Sequence, residues 1–307
     1  MGTVNIISFP NMGITLQVNR VAFSMFGKDI YWYGIIIALG FVLATAFALW
    51  RAKRKGINPD NIFDLVLWGL PVSIICARIF YVIGDWSSVA GNPWKVFAIW
   101  EGGLAIYGGM IGAVIVGVTY CKVKKLSMGK IFDLCAPAIM IGQIIGRWGN
   151  FMNAEVFGGV TSLPWGMSIN ASQPVHPLFL YESLWMLVGF IALVVYDRYK
   201  KHSGEIFWLY VLWYGLGRIW MEGMRQPEFV LKVGELPISQ ATALITILAA
   251  IGMLCYLYFF RPADAGQNLA AAHQTASEDV EKTEVQTEEK PASDERDETE
   301  PHELSQG

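Results

Sequence analysis

The chain has 307 residues, 54% of them hydrophobic, with a mean hydropathy of +0.40; this excludes an ordinary soluble domain and points to a protein that crosses a membrane several times. Its formal charge of −3 conceals two unlike parts: residues 262–307 hold 13 acidic against three basic side chains and no aromatic residue, while the remainder is basic by about seven charges. The acidic stretch cannot bury enough apolar surface to fold, so the expected organisation is a membrane body over 1–261 and a disordered acidic tail over 262–307.

A bilayer core takes about 20 apolar residues per helix. Candidate spans follow in chain order at 31–50, 62–84, 97–120, 131–145, 178–196, 206–224 and 240–260, the fourth being short and carrying Asp133 and Pro137. No basic region followed by a short apolar run and a cleavage site opens the chain, so the first segment is expected to stay as a span. The exits of the odd-numbered spans hold 12 Lys/Arg, among them "RAKRKG", "CKVKKLSMGK" and "DRYKKH", against six on the other side. The positive-inside rule then sets the N-terminus outside and the C-terminus in the cytoplasm. The fold class is thus an all-α integral membrane protein of about seven transmembrane helices. Cys76, Cys121, Cys135 and Cys255 are isolated, with no C-x-x-C, and read as four core-packing thiols.

Polar residues in apolar segments need a reason, because an arginine at the centre of a span costs roughly 2.5–3.5 kcal/mol on insertion scales. Arg78 lies in the second span and reads either as a snorkelling side chain or as a functional one. In the sixth, Tyr214, Arg218 and Glu222 repeat every fourth residue, with Arg225 beyond them, so a polar stripe climbs one helix face. Arg218 and Glu222 form either a packing ion pair or part of a site. The stretch "GRWGNFMNAEVFG" at 146–158 is read as a loop after the fourth span, on the outer face. Four arginines (78, 147, 218, 225) near one membrane depth suit bidentate grip on phosphate. "YWYG" at 31–34 fits an interfacial aromatic belt, and Gly108-x-x-x-Gly112 fits close helix packing, which leaves Glu101 unexplained. His176, before a proline, fits loop structure better than a general base. There is no H-E-x-x-H, G-x-S-x-G, Walker loop or dinucleotide glycine motif, and no acidic cluster for metal-dependent phosphotransfer, so the expected reaction uses no metal and no cofactor.

"GRWGNFMNAEVFG" resembles the signature of the bacterial prolipoprotein diacylglyceryl transferases, close to G-R-x-G-N-F-x-N-x-E-x-x-G. "YWYG", residues 77–82, "WEGGLAIYGG", "HPLFLYE" and "YGLGRIWMEGMRQP" resemble further family segments in the same order, over roughly residues 8–260. The resemblance implies a seven-helix plasma-membrane enzyme whose site faces the outer leaflet. It would move the diacylglyceryl group of phosphatidylglycerol onto the lipobox cysteine of a prolipoprotein signal peptide, giving a thioether and glycerol 1-phosphate. Its partners are then that lipid, that peptide and the bilayer, with no nucleic acid.

By matched position, Arg147 and Arg218 would hold the phosphate. Asn150 and Asn153 would bind the glycerol headgroup or fix the loop, and Glu155 and Glu222 would orient the arginines. Gly158 would let the chain approach the lipid closely, Tyr33 would line the lipid site, and Tyr214 would position the thiol or relay its proton. Arg78, Glu101, Tyr107 and His176 complete the expected substrate-binding set. Tyr107 stands where many members carry a histidine proposed as general base, and a tyrosine is a poor base at neutral pH. Either the arginine field makes a base dispensable, or another group serves, or Tyr107 only packs. A polytopic transporter with an outward-facing polar vestibule is the rival reading; it predicts inverted repeats, and none is evident.

Overall fold

The computed structural model describes residues 4–229, 232–233 and 236–262. The expected acidic tail, from Ala263 on, lies outside the described residues. Among the described residues seven long helices carry the architecture: α1 (Trp32–Arg54), α2 (Pro59–Gly84), α3 (Ile106–Val123), α4 (Met128–Asn153), α5 (Leu178–Tyr196), α6 (Glu205–Met224) and α7 (Ile238–Phe260). Six are long and apolar enough to cross a membrane; α6, with Glu205, Arg218 and Glu222, is not among them. The charged stripe read from the sequence is what makes it the odd one out.

Local sequence sets most of the boundaries. Asn58 caps α2 by accepting from the Asp60 amide at 2.9 Å, ahead of Pro59 in the first turn. The expected third span at 97–120 begins too early. Gly102 (φ 88°) and Gly103 (φ 70°) take left-handed backbone, so 93–101 forms two short 3-10 turns and the helix starts only at Ile106. The expected fourth span ends too soon. Residues 146–153, read as loop, are the last two turns of α4, which stops at a left-handed Ala154 (φ 51°).

The helices pair as α1 with α4, α2 with α3, α4 with α5, and α6 with α7. Gly108 and Gly112 face α2 so closely that a Cβ at Gly108 would lie 2.4 Å from the Cys76 carbonyl oxygen, which bears out the packing reading of that motif. The thiols do not all pack inside: Cys121 is buried, Cys76 and Cys135 are half-buried, and Cys255 is exposed.

One end of the bundle gathers basic exits around the half-buried Asp197 and the buried Asp133. Asp197 meets Arg51 Nη2 at 2.8 Å and Lys55 Nζ at 2.5 Å. Asp133, fully buried, accepts from Lys200 Nζ at 2.7 Å and from the Gly204 and Phe207 amides at 2.9 Å each. It therefore caps the start of α6, where a carboxylate meets unpaired amides and the positive end of the helix dipole. That explains an aspartate in an apolar segment. The opposite end is closed by strands absent from the sequence reading. β1 (Val4–Phe9) pairs antiparallel with β2 (Ile14–Asn19), and with β5 (Ser168–Ile169) through Ile7↔Ile169; β3 (Val21–Met25) pairs with β4 (Lys28–Tyr31). Ile7, Val18, Met167, Val175 and Phe179 form the core of this cap, which overlies the end of α4 and the start of α5.

Candidate active site

Beneath the cap, α4, α5 and α6 bring five charged side chains together. Glu182, one turn into α5 and 6% exposed, accepts from Arg147 Nη2 at 2.5 Å through one oxygen and from Arg225 Nη2 at 3.2 Å through the other. Glu222 Oε2 lies 3.0 Å from Arg218 Nη2 and 3.6 Å from Arg225 Nε as an ion pair, and neither of its carboxylate oxygens has a well-aligned hydrogen-bond partner among the described residues. Burial lowers the Arg225 pKa below its ordinary value, as does the neighbouring Arg218, with Glu182 and Glu222 pulling the other way. Among the described residues, three guanidinium groups thus face two carboxylates, a surplus of one positive charge where burial makes an unpaired charge costly.

That residual charge borders a cavity of about 20 Å³, room for roughly one water, lined by Gln143, Arg147, Glu182, Tyr214 and Arg218 among others. The arginines are not equivalent. The Arg147 and Arg218 side chains are 25% and 18% exposed, whereas Arg225 is 9% exposed and locked between both glutamates. Arg147 and Arg218 can reach a ligand; Arg225 holds the scaffold.

Arg78 does not belong to this cluster, contrary to the sequence reading. Its Nε donates to the Val96 carbonyl at 3.0 Å, and Nη1 donates to Gly102 and Gly103 at 2.6 and 2.9 Å. Nη2 donates to the Lys95 carbonyl. The guanidinium is spent on backbone oxygens and clamps the 93–103 segment onto α2, a role that no spacing pattern discloses. Glu101 sits in that segment, and its side chain lies outside the described ones.

The remaining expected residues fall into three places. Asn150 and Asn153 both donate their side-chain amides to Glu155 Oε1, at 3.1 and 3.2 Å, and the Glu155 amide returns to the Asn150 carbonyl at 3.1 Å. Arg20 of the cap donates to the Asn153 carbonyl. The motif is therefore a closed helix terminus, in which Glu155 orients the asparagines rather than the arginines. Gly158 does not face lipid: a Cβ there would lie 2.6 Å from His176 Cβ and 2.8 Å from the Met224 carbonyl oxygen, and the residue bridges to Arg225. Its lack of a side chain lets the end of α6 close against the loop. His176 Nδ1 lies 3.4 Å from the Tyr181 hydroxyl, which accepts from Trp165 Nε1 at 2.6 Å. Tyr33 lays its ring against Gly149, two residues past Arg147.

Tyr107 does more than pack. Its hydroxyl donates to Ser239 Oγ at 3.4 Å, and Arg218 Nη2 donates to the same oxygen at 3.1 Å. Sequence reasoning missed Glu182, Gln143 and Ser239. The signal for Glu182 was present, a lone carboxylate in the first turns of an otherwise apolar helix. Ser239 carried none.

A family model described as prolipoprotein diacylglyceryl transferase matches residues 20–256. A Pediococcus pentosaceus protein named phosphatidylglycerol–prolipoprotein diacylglyceryl transferase is 43% identical over 260 residues, 80% of this chain and 92% of the relative. Proteins of the same name from Lysinibacillus sphaericus and Clostridioides difficile are each 41% identical, over 79% and 78% of this chain and 93% and 95% of their own lengths.

Proposed function

Since the chain belongs to the prolipoprotein diacylglyceryl transferase family, we propose that it transfers the diacylglyceryl group of phosphatidylglycerol to the lipobox cysteine of a prolipoprotein. The observation that carries this reading is the surplus of one guanidinium over the carboxylates around the cavity, with Arg147 and Arg218 the two that remain accessible. A phosphodiester bears a single negative charge and restores neutrality there. Fixed donors aimed at developing charge act strongly where water is scarce.

In the proposed reaction the substrate thiol gives up its proton to solvent or to a nearby acceptor. The thiolate sulfur forms a bond to the glyceryl carbon that bears the phosphate, and the carbon–oxygen bond to phosphorus breaks. The bonding pair leaves on the phosphate oxygen, so the phosphodiester monoanion becomes the more highly charged glycerol 1-phosphate. Negative charge thus grows at the phosphate as the bond breaks, and Arg147 and Arg218 stabilise the transition state more than the ground state. Glu182 and Glu222 hold those arginines in place, and Tyr214, on the cavity wall beside Arg218, positions the incoming thiol. Asn150, Asn153 and Glu155 shape the end of α4 that presents Arg147. The nucleophile belongs to the substrate, so the enzyme needs no serine or cysteine of its own.

The excess of basic exits supports placing the Asp197 end of the bundle in the cytoplasm of a bacterial plasma membrane, with the site at the outer leaflet and the 262–307 segment as an acidic cytoplasmic tail. The test uses purified protein in phosphatidylglycerol-containing liposomes with a lipobox peptide, read by mass spectrometry. Wild type is expected to add a diacylglyceryl mass to the peptide cysteine, and folded Arg147→Ala to lose about 100-fold or more in rate, as when a charge-stabilising donor is removed. Wild type that leaves several such peptides unmodified would sink the proposal; a variant as fast as wild type would sink the role of Arg147. No observation favours the transporter reading.

A further inference from the structure

A second cavity, of about 330 Å³, lies between α1, α2 and α4 and plays no part in the charge arrangement described above. Its walls are apolar apart from the Thr45 hydroxyl; Ile37, Phe41 and Ala48 of α1, Ile62 of α2, and Cys135 and Gly142 of α4 mark its extent. It is a groove open at the surface rather than a closed void, since Ile37, Phe41 and Ile139 on its walls are exposed. Every wall belongs to a helix apolar and long enough to cross a membrane, so the filler is hydrocarbon.

The dimensions select the kind of hydrocarbon. From Ile37 to Ala48 the groove follows α1 for about 16 Å at 1.5 Å per residue. One leaflet of a bilayer core is about 15 Å deep, the reach of one acyl chain. The inner end is closed by the packed cluster of Ala48, Ile62, Leu134 and Ala138. The upper end adjoins the site. A Cβ at Gly146 would lie 3.3 Å from Ile37 Cδ1, and Gly146 is the residue before Arg147. Along α4, Cys135, Ile139 and Gly142 line the groove, while Gln143 and Arg147 line the charged cavity. The two spaces therefore occupy neighbouring stripes of one helix, about 100° apart per residue, and a lipid whose phosphate sits at Arg147 can lower a chain into the groove.

We propose that this groove holds one acyl chain of the diacylglyceryl donor and sets the chain length the enzyme accepts; this rests on the transferase reading given above. Bilayer hydrocarbon is as apolar as the groove, so selection comes from fit rather than from transfer out of water.

Gly142 offers a clean test. A Cβ there meets nothing within 4 Å, and leucine is a better helix former than glycine, so Gly142→Leu narrows the upper groove with no clash at its Cβ. Ala44→Leu fills it lower down. Phosphatidylglycerols with hexanoyl, lauroyl and palmitoyl chains are compared in mixed micelles, alongside crosslinking by phosphatidylglycerol or phosphatidylcholine with a photoreactive group near the acyl terminus. Gly142→Leu, near the site end of the groove, should raise KM about tenfold or more for all three donors, the lower range for a misfit in an apolar pocket. Ala44→Leu, about 10 Å below Ile37 at 1.5 Å per residue, should penalise lauroyl and palmitoyl donors more than the hexanoyl donor. Crosslinks should fall on α1 and α4 groove residues, favour phosphatidylglycerol, and disappear in Gly142→Leu. Unchanged KM values in Gly142→Leu, an unchanged chain-length profile in Ala44→Leu, or equal crosslinking by both headgroups, would overturn the assignment and make the groove a seat for bulk lipid. Crosslinking selective for phosphatidylglycerol in a protein that transfers nothing would instead refute the transferase reading while keeping the groove.

Discussion

Glu182 is the residue on which the charge arrangement turns, and Glu182→Gln tests it. One carboxylate receives Arg147 at 2.5 Å and Arg225 at 3.2 Å in a residue 6% exposed. Opposite unit charges about 4 Å apart attract by about 4 kcal/mol at an effective dielectric of 20. Breaking a buried pair by removing one partner costs roughly 3–5 kcal/mol, mostly because the other charge is stranded. Glutamine keeps the shape and one acceptor oxygen, which puts the cost near the lower end, about 3 kcal/mol. For a folded body of this size that lowers the melting midpoint by roughly 6–12 °C. The charge surplus also rises from one to two, so an anionic lipid should compensate. Phosphatidylglycerol should recover more of the lost midpoint than phosphatidylcholine at equal mole fraction, because a ligand stabilises the state that binds it. Transfer should slow at least about tenfold as Arg147 loses its tether. The assays are thermal unfolding in detergent with each lipid added, and peptide lipidation by mass spectrometry. A variant that melts and reacts like wild type would show that Glu182 does not organise the arginines, and the electrostatic reasoning would fail with it.

Three further outcomes follow from particular contacts. Arg78→Ala should free the 93–103 segment, seen as protease cleavage there in the folded protein, with the KM for phosphatidylglycerol rising less than about threefold, under 1 kcal/mol; a rise as large as that for Arg147→Ala would return Arg78 to the phosphate site. Tyr107→Phe removes only the hydroxyl that reaches Ser239, so the rate should fall less than about tenfold, below what removal of a general base costs; a loss of 1,000-fold would make that hydroxyl part of the chemistry. For Asp197, burial raises the carboxyl pKa, but Lys55, Arg51 and Lys200 together outweigh it and hold the group below its ordinary value of 3.8. Its stabilisation is therefore complete above about pH 4–5 and is lost as pH falls through the depressed value. Asp197→Asn should melt lower at neutral pH and show a flatter acid limb between about pH 5 and 2; an acid limb as steep as wild type's would mean that other carboxylates carry it.

The sequence by itself determined that there are long helices and roughly where six of them run, because a membrane helix must satisfy its backbone internally and cover itself with apolar residues, so those six appear as local runs of composition. The family motifs are equally local, and the stripe Tyr214–Arg218–Glu222 follows from the helical repeat alone. The tertiary structure decided what each charge touches. Arg78 and Arg147 look alike in sequence, yet one is spent on backbone carbonyls 17–25 residues away while the other borders the cavity. Glu182 meets Arg147 from a different helix, and the strands of the cap come together from segments some 160 residues apart. The 146–153 stretch was misread as loop because glycines and asparagines are poor helix formers. In the fold they are held helical by packing against Tyr33 and by the Glu155 carboxylate that ties the terminus. Composition is a property of the chain and can be read along it; pairing depends on which faces meet, and only the packed bundle fixes that.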